Sequence, residues 1–327
     1  MSDTSLAARA AWLSYIGGYT QSEIAKRLDV SSAKAHRLIS QAQKAGLVRV
    51  FIEGVPAECI ELEEFITHQF GLESCTVAPL LGEEGEEGED PLTSFNAVGV
   101  AAARRLYNLL KADGPLTIGV GKGRSLAAMV RNLPHTRRPD LKFVAVSGSL
   151  TRNLSANPYD VVHNLVERTD GEGYFLPVPY IASSVQEKEL LQAQKSVQEM
   201  LQLARKADVY IIGVGAIGEE SLVHPHIREV SMVSETEWRE LRQKQAVCDI
   251  MGKFINADGV PVKSDLNKQA LGLGPEDLRG RKVIAVVGGG GKGTAVLAAL
   301  RTNIITDLVI CEDTAQRLRS LLSEEAA

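Results

Sequence analysis

Four glycine-rich segments contain the residue types that could hold a polar small molecule. Each segment follows a short apolar run typical of a buried strand. Glycine gives the backbone unusual freedom, and amides near the start of a helix can bind phosphate or hydroxyl oxygens. The segments cover residues 119–125, 147–149, 213–215 and 288–294.

We predict that these segments line one pocket, because ligands bind beyond the carboxyl ends of parallel strands in open α/β sheets. A tight turn between a strand and a helix would explain any single segment equally well. The convergence of four segments on one sheet edge favours a binding site. Gly213 and Gly215 lie in the third segment, and the positive side chains expected nearby are Lys122, Arg124, Lys292 and Arg152.

Two nucleotide-binding motifs are incomplete in this sequence. Lys122 and Lys292 are each followed by glycine, and the position six residues before each is apolar, so neither forms a Walker A loop. Gly213-x-Gly215-x-x-Gly218 matches a dinucleotide fingerprint, but Pro225 stands early where the phosphate-binding helix should begin. ATP hydrolysis is therefore not supported, and NAD binding is disfavoured.

The elements that position these segments alternate between helix and strand after Pro91. Several strand candidates are continuous apolar runs, which is typical of a parallel sheet covered on both faces. We predict an α/β fold with a doubly wound, mostly parallel sheet. Strands are expected at 116–120, 143–146, 174–178, 208–212, 283–287 and 307–310, and helices at 94–111, from about 125, 159–167, 187–206, 294–300 and 314–322.

Residues 20–47 predict a helix-turn-helix. A first helix over 21–28 is separated by Asp29-Val30 from a second over 32–44, for which Ser31 is a suitable N-cap. The apolar stripe of the second helix leaves its early polar residues facing outward, where a recognition helix carries its base-reading side chains. The expected DNA contacts are Gln21, Ser31, Ser32, Ala33, Lys34, His36 and Arg37.

The flanking residues extend this module to a winged helix-turn-helix. A preceding helix over 6–17 is expected to pack through its apolar residues, including Trp12 and Ile16. Gly46 would end the recognition helix, and residues 47–52 would form a strand or wing.

The local charge favours a DNA-binding helix-turn-helix over two ordinary amphipathic helices of a protein core. Residues 1–50 contain seven basic and three acidic residues, a local net of +4, whereas the whole chain has a formal net charge of −5. A cationic region that coincides with the motif favours a polyanionic partner, namely double-stranded DNA.

Residues 53–90 contain twelve acidic residues and no lysine or arginine. Helical periodicity over 59–70 predicts a connecting helix, and the glutamate-rich stretch 82–90 predicts a solvated loop. Mimicry of DNA by the acidic run is the less favoured alternative to a plain linker. We therefore expect a DNA-binding domain over 1–55, a connecting helix and acidic linker over 56–90, and an effector domain over 91–327.

Several classes of protein are disfavoured by composition. No apolar run approaches the roughly 18 residues of a membrane helix, and the N-terminus does not resemble a signal peptide, so a cytoplasmic protein without a membrane partner is expected. The four cysteines lie far apart, and His224 and His226 lack further ligands. Neither a metal site nor a cofactor is predicted.

The chain resembles the SorC family of bacterial sugar-responsive regulators. The resemblance rests on the N-terminal module, GVGKGRSLAA, ADVYIIGVGAIG, DIMGKFINADG and VIAVVGGGGKGTAVLAALRTNIITDLVICEDTA, and VSGSLTRNLSANPYDVVH is most similar to regulators of polyol catabolism, erythritol among them. It implies a sensor domain similar to ribose-5-phosphate isomerase and glucosamine-6-phosphate deaminase, without catalysis. The implied sugar, polyol or sugar-phosphate contacts are Gly121, Lys122, Gly123, Arg124, Ser125, Ser147, Gly148, Ser149, Asp249 and Lys292.

Two departures from the family affect this expectation. Many relatives have an aromatic residue and threonine where this chain has Lys122 and Arg124-Ser125, so phosphate geometry would differ. Some relatives hold their ligand covalently through a lysine in the second loop, near the position of Ser147, so an imine at that position is not expected.

The predicted mechanism is ligand-gated operator binding by an oligomer. One short reader helix contacts few bases, which requires paired half-sites and a dimer, and the family suggests a tetramer. We favour a repressor released by an inducer over an activator. A sensor of a signalling metabolite remains an alternative, as does an active isomerase or deaminase, for which Asp249 is the nearby candidate base.

Overall fold

The computed structural model describes residues 3–45, 47–48, 54–80, 91–149, 160–217 and 233–326. The chain divides into two compact units, Met1–Ile52 and Glu53–Ala327.

The N-terminal unit is helical. Helix α1 (Asp3–Ala11) continues into a π-helical turn (Trp12–Ile16), and α2 (Gln21–Leu28) and α3 (Ser32–Lys44) follow. Thr20 begins α2 in a reciprocal capping box with Glu23, and Asp29 ends it in the left-handed conformation at φ 51°. Ser31 accepts a hydrogen bond from the Lys34 amide, as expected of an N-cap. The predicted pair of helices is therefore confirmed.

A small core of alanines with Ile24 and Leu38 joins the three helices. Trp12 and Ile16, expected in this core, are 68% and 72% exposed. That prediction is wrong because it assumed 3.6 residues per turn, a periodicity that a π-helical turn does not keep. Gly46 and residues 49–52, which would form the wing strand, lie outside the described residues.

The C-terminal unit is built on a parallel sheet of seven strands in the order β1-β10-β9-β5-β2-β3-β4. Five consecutive residues of β9 are buried, which shows that both faces of the sheet are covered there. The doubly wound α/β fold is confirmed. The strands are β1 (Ser74–Ala78), β2 (Leu116–Val120), β3 (Leu141–Ala145), β4 (Glu172–Tyr174), β5 (Val209–Gly213), β9 (Lys282–Val287) and β10 (Asp307–Cys311).

Helices surround this sheet. The single helix predicted over 187–206 is two helices, because Gln194 adopts an extended conformation between them. The described helices are α4 (Ala57–Phe70), α5 (Pro91–Leu110), α6 (Arg124–Asn132), α7 (Val161–Thr169), α8 (Val185–Ala193), α9 (Lys195–Arg205), α10 (Glu235–Gln243), α11 (Asp265–Gln269), α12 (Pro275–Leu278), α13 (Gly293–Arg301) and α14 (Glu312–Ala326).

Three features were not predicted. Strand β1 lies within the segment interpreted as a linker, and it pairs along β10 from Ser74 opposite Asp307. The strand expected over 174–178 is the shorter β4, which ends at Tyr174. A second, antiparallel sheet consists of β6 (Gly215–Ala216), β7 (Ala246–Ile250) and β8 (Lys253–Asn256). No helix within the described ranges is both long enough and apolar enough to cross a membrane.

Candidate effector site and DNA-binding face

The four glycine-rich segments follow β2, β3, β5 and β9, which are neighbours in the sheet. Val120, the last residue of β2, pairs with Ala145 of β3 and with Ile211 of β5. Gly213, which ends β5, pairs with Val286 of β9. Because these strands are parallel, the four segments leave the sheet at the same edge.

The side chain of Lys122 joins the first two segments. Its Nζ donates a hydrogen bond of 2.5 Å to the carbonyl oxygen of Gly148. The same atom lies 3.6 Å from the centroid of the Tyr180 ring, a distance typical of a cation–π contact. Lys122 as a whole is partly exposed.

Tyr180 connects Lys122 to a buried carboxyl group. The Tyr180 hydroxyl donates to Oδ2 of Asp249 over 3.1 Å, and the amide of Gly252 donates to Oδ1 over 2.9 Å. Asp249 lies on β7 opposite Gly215 of β6, where a Cβ atom would stand 3.4 Å from that of Asp249. The third segment thus contributes close backbone packing around the carboxyl group.

Burial brings the pKa values of Lys122 and Asp249 close to 7. Desolvation lowers the pKa of Lys122 to about 7, although the Asp249 carboxylate opposes the shift. Desolvation raises the pKa of Asp249 to about 6, against the hydrogen bonds from Tyr180 and Gly252 and the charge of Lys122. Perturbed ionisable groups of this kind concentrate at functional sites.

A second group of side chains surrounds Phe95 near the start of α5. The Arg124 guanidinium lies 4.7 Å from the ring centroid, and Lys292 Nζ lies 5.3 Å from it. Lys292 also donates a hydrogen bond of 2.7 Å to the carbonyl oxygen of Gly288. Desolvation lowers its pKa to about 8; the charge of Arg124 lowers it further, while Cys311 and Asp313 oppose the shift.

The hydroxyl of Ser125 links the two groups. It accepts a hydrogen bond of 2.9 Å from the amide of Gly288, so the first and fourth segments are in direct contact. The hydroxyl of Ser94 accepts from the amide of Gly289 over 3.2 Å in the same way. The structure therefore brings Lys122, Ser125 and Lys292 to one edge of the sheet, as expected.

Three of the loop amides do not have the role predicted from the glycines. The amides of Gly121, Gly148 and Ser149 donate to the carbonyl oxygens of Ile211, Leu271 and Val178. Buried backbone groups require partners, and in these loops the protein itself supplies them. The expectation that these three amides are available to a ligand is wrong.

The other residues predicted to contact the effector include a buried serine and glycines with structural roles in the loops. Ser147 is buried and forms an isolated bridge with Gly272. The backbone at Gly213 packs closely on the first loop, since a Cβ there would lie 3.2 Å from the carbonyl oxygen of Lys122. Gly123 precedes α6 at φ 125°, a conformation that favours glycine. Arg152 and residues 218–232, which include His224 and His226, lie outside the described residues.

Sequence reasoning missed two aromatic residues of the site, Tyr180 and Phe95. Tyr180 follows the strand predicted to end at Val178, and Phe95 is the fifth residue of α5, the helix that precedes β2. An aromatic residue just beyond a strand end was the available signal for Tyr180. Within the described residues, no cluster of three or more histidine, cysteine or acidic residues could hold a metal ion.

The N-terminal unit presents all of its predicted DNA contacts on the surface. Ala35, Leu38 and Ala42 form the buried stripe of α3, which turns the other side of the helix outward. Gln21 Nε2 lies 3.2 Å from His36 Nδ1, so the start of α2 adjoins the exposed face of α3. The exposed residues are Gln21, Ser31, Ser32, Ala33, Lys34, His36 and Arg37.

The shifted pKa of Lys122 predicts a pH-dependent effect of Lys122→Met. The folded state binds the lysine proton less tightly than the unfolded state, so wild-type stability from this group rises as pH increases from about 7 to its ordinary value of 10.5. The stability of the variant relative to wild type should fall across that range, which lies above the pKa of about 6 for Asp249. Urea unfolding of both proteins at several pH values measures this difference. A difference that is constant with pH would contradict a desolvated amine.

Comparisons with known proteins agree with this architecture. The family described as "Putative sugar-binding domain" matches residues 55–320. The erythritol catabolism regulatory protein EryD of Brucella abortus is 36% identical over 316 residues, covering 97% of this chain and 96% of the relative. The transcriptional regulator LsrR of Klebsiella pneumoniae is 28% identical over 325 residues, covering 99% and 95%.

Solved structures show the same fold. The full-length sorbitol operon regulator SorC from Klebsiella pneumoniae has a TM-score of 0.67 at 21% identity, covering 97% of this chain and 99% of the other. A DeoR family transcriptional regulator from Listeria monocytogenes has a TM-score of 0.70 at 24% identity, covering 80% of this chain and 99% of the other.

Proposed function

The chain belongs to the SorC-like family of regulators with a sugar-binding domain, and we propose that it represses a carbohydrate or polyol catabolic operon. In this proposal the N-terminal unit binds operator DNA and the C-terminal unit binds the effector. Occupation of the sheet-edge site by a sugar, polyol or sugar phosphate releases the operator. This role places the protein in the bacterial cytoplasm, where operators lie.

The observation that carries the proposal is the cluster of Lys122, Tyr180 and Asp249 at the sheet edge. A buried carboxylate accepts hydrogen bonds from hydroxyl groups, and an amine can donate to them, so the cluster suits a ligand with several hydroxyls. The relative EryD is named for erythritol catabolism. We therefore propose a short polyol or a related sugar as the effector.

The second group of side chains supports a polar or anionic end of the same ligand. Arg124 and Lys292 place two cationic groups beside the Phe95 ring, and both lie near the start of a helix. Positive side chains and helix starts attract anions. A sugar phosphate would use this group, whereas a neutral polyol would use it only through hydrogen bonds.

Operator recognition is proposed to follow the geometry of other helix-turn-helix proteins. The exposed start of α3, with Lys34, His36 and Arg37, enters the major groove, and the start of α2 lies beside it through Gln21. One α3 reads only a few base pairs. The functional form is therefore a dimer or tetramer that reads half-sites about one helical turn of DNA apart, or a multiple of it.

The sensor is proposed to bind its ligand without converting it. Of the reported relatives, EryD is named a regulatory protein and LsrR a transcriptional regulator, and neither name describes an enzyme. Asp249 is the one acidic side chain in the cluster, and its carboxyl group already accepts hydrogen bonds from Tyr180 and Gly252. Incubation with pentose and hexose phosphates tests this point, because product formation above the no-protein rate would show an active enzyme instead.

Selection of genomic fragments tests the proposed function. The purified full-length chain is mixed with sheared DNA of its own genome, and the retained fragments are sequenced. We expect enrichment of a paired, inverted sequence close to genes for carbohydrate or polyol catabolism. Retention of all fragments equally, or of none, would overturn the proposal.

A further inference from the structure

The N-terminal unit carries a group of exposed apolar side chains on the π-helical turn that follows α1. Trp12, Tyr15 and Ile16 are 68%, 41% and 72% exposed, and no residue of this five-residue turn is buried. A π-helical turn is rare and occurs frequently at functional sites. Large apolar side chains grouped on a surface mark a place where another molecule binds. We call these three residues the apolar patch.

The apolar patch lies near the end of α3, away from the part proposed to read DNA. The Tyr15 hydroxyl accepts a hydrogen bond from Nε2 of Gln43, which lies in the last turn of α3. Gln43 follows Lys34 by nine positions along that helix, a rise of about 13 Å. Operator contacts at the start of α3 and a protein contact at the apolar patch can therefore form at the same time.

The patch belongs to an uncharged stretch of a cationic unit. Residues 1–50 have a net charge of +4, so two copies of this unit repel each other where their charged faces meet. Residues 10–22 contain no lysine, arginine, aspartate or glutamate. Repulsion between two copies is weakest across such a surface, and DNA gains no charge pairing from it. Charge therefore favours a second copy of this unit over DNA as the occupant of the patch.

The exposed area of the patch suits a weak contact between two copies. The exposed fractions correspond to about 400 Å² per copy, or about 800 Å² for a pair, if a large apolar side chain presents roughly 150–250 Å². A stable dimer buries about 1,200–2,000 Å² in total, so this contact alone would not hold two chains together. Copies aligned on neighbouring half-sites need less area, because their effective concentration is high. The area therefore predicts a contact that forms on the operator.

We propose that two N-terminal units pair on the operator through their apolar patches. Each Trp12 then packs on the partner's Ile16 across a twofold axis. Such a contact uses the same surface on both copies and sets the two units in inverted orientation, as inverted half-sites require. This inference rests on the proposed function, because it assumes an operator with paired half-sites. It adds the surface that fixes the distance between the two reader helices.

Cross-linking of full-length Ile16→Cys on the selected operator tests the inference. The four native cysteines are buried, so the introduced thiol is the exposed one. A twofold contact at the patch places two such thiols side by side, and a short bismaleimide should join the chains as dimers. Operator DNA should increase the dimer several-fold, because the contact is weak without it. Ser22→Cys, at an exposed position on α2 of the same unit, is the matched control and should stay monomeric.

Replacing Trp12 and Ile16 together with alanine separates pairing from DNA reading. Both side chains are mostly exposed and alanine favours helix, so the unit should stay folded, which thermal melting verifies. We expect affinity for the paired operator to fall about tenfold or more, and affinity for a duplex with one half-site to stay within about twofold. Equal losses on both duplexes would place the patch against DNA and overturn the inference.

The cross-linking result also distinguishes failure of the inference from failure of the proposed function. If the Ile16→Cys chain binds the paired operator and forms no dimer, or no more than Ser22→Cys does, the proposed function stands and the pairing surface is wrong. Protection of the Ile16→Cys thiol from a monofunctional maleimide, without a dimer, would show that another part of the chain covers the patch. If the wild type binds no paired operator, the proposed function and the inference both fail.

Discussion

Replacing Lys34 and Arg37 together with alanine is expected to weaken operator binding at least about 30-fold, since each direct contact contributes about 1–3 kcal/mol. Both side chains are exposed on the early part of α3, opposite its buried stripe. Alanine is the best helix former, and the Ser31 cap is unchanged, so α3 itself should persist. The loss would therefore report contacts with DNA and not loss of the helix.

Fluorescence anisotropy with an operator duplex at several salt concentrations measures the effect. For each phosphate contact that is removed, the slope of log affinity against log salt should decrease by about 1. Lys195→Ala with Arg137→Ala is the matched control, because it removes the same charge from side chains of the C-terminal unit that are 90% and 88% exposed. Unchanged affinity and salt slope in the α3 variant would exclude both residues from the interface.

Replacing Lys292 with alanine is expected to abolish the response to effector while operator affinity in its absence stays unchanged. The amine donates a hydrogen bond to the Gly288 carbonyl and lies beside the Phe95 ring. Both Gly288 and Lys292 belong to the fourth glycine-rich segment of the sheet-edge site. A hydrogen bond from a charged group contributes about 1.5–3 kcal/mol, so effector affinity should fall about 10- to 100-fold. The variant would then stay bound to the operator at the effector concentrations that release the wild type.

Titration of effector into a complex of each protein with operator DNA provides the measurement. Lys206→Ala is the matched control, because this exposed lysine follows α9 and removes the same charge from another surface. The control should respond as the wild type does. A normal response of Lys292→Ala would contradict the placement of the effector site.

Elements with a strong local signal were predictable from the sequence. The run Val283–Val287 is continuously apolar, and it forms all of β9 after Lys282, with both faces buried. Ser31 followed by an amphipathic helix identified α3, because the capping hydroxyl and the apolar stripe lie within one short segment. The position of the four glycine-rich segments at one edge of the sheet was also predictable, because each follows a strand of a parallel sheet.

Elements that depend on distant partners were not predictable. β1 is a strand because its residues pair with β10, where Val77 lies opposite Ile310, and its own sequence is short and next to acidic stretches. Tyr180 enters the site through contacts with Lys122 and Asp249, which come from other parts of the chain. The use of loop amides by the protein also follows from tertiary packing, as the bond from Gly121 to Ile211 shows.

The buried charges of the effector site disfavour the ligand-free fold. Lys122, Asp249 and Lys292 all have pKa values shifted mainly by desolvation, which opposes their charged forms. Replacing buried charged groups by apolar residues of similar size is often neutral or stabilising, so the stability of the fold alone does not account for these three groups. A ligand that pairs with these groups would offset the penalty and would favour the arrangement of the sensor that binds it.

In the proposed mechanism, ligand binding in the C-terminal unit controls DNA binding by the N-terminal unit. The most direct test measures the affinity of the full-length wild type for its selected operator, with and without erythritol or erythrulose, at fixed salt. We predict that at least one of the two compounds lowers operator affinity by about 5- to 150-fold, the usual range for coupled sites. Operator affinity that is the same with and without both compounds, while either one is shown to bind the protein, would contradict the claim.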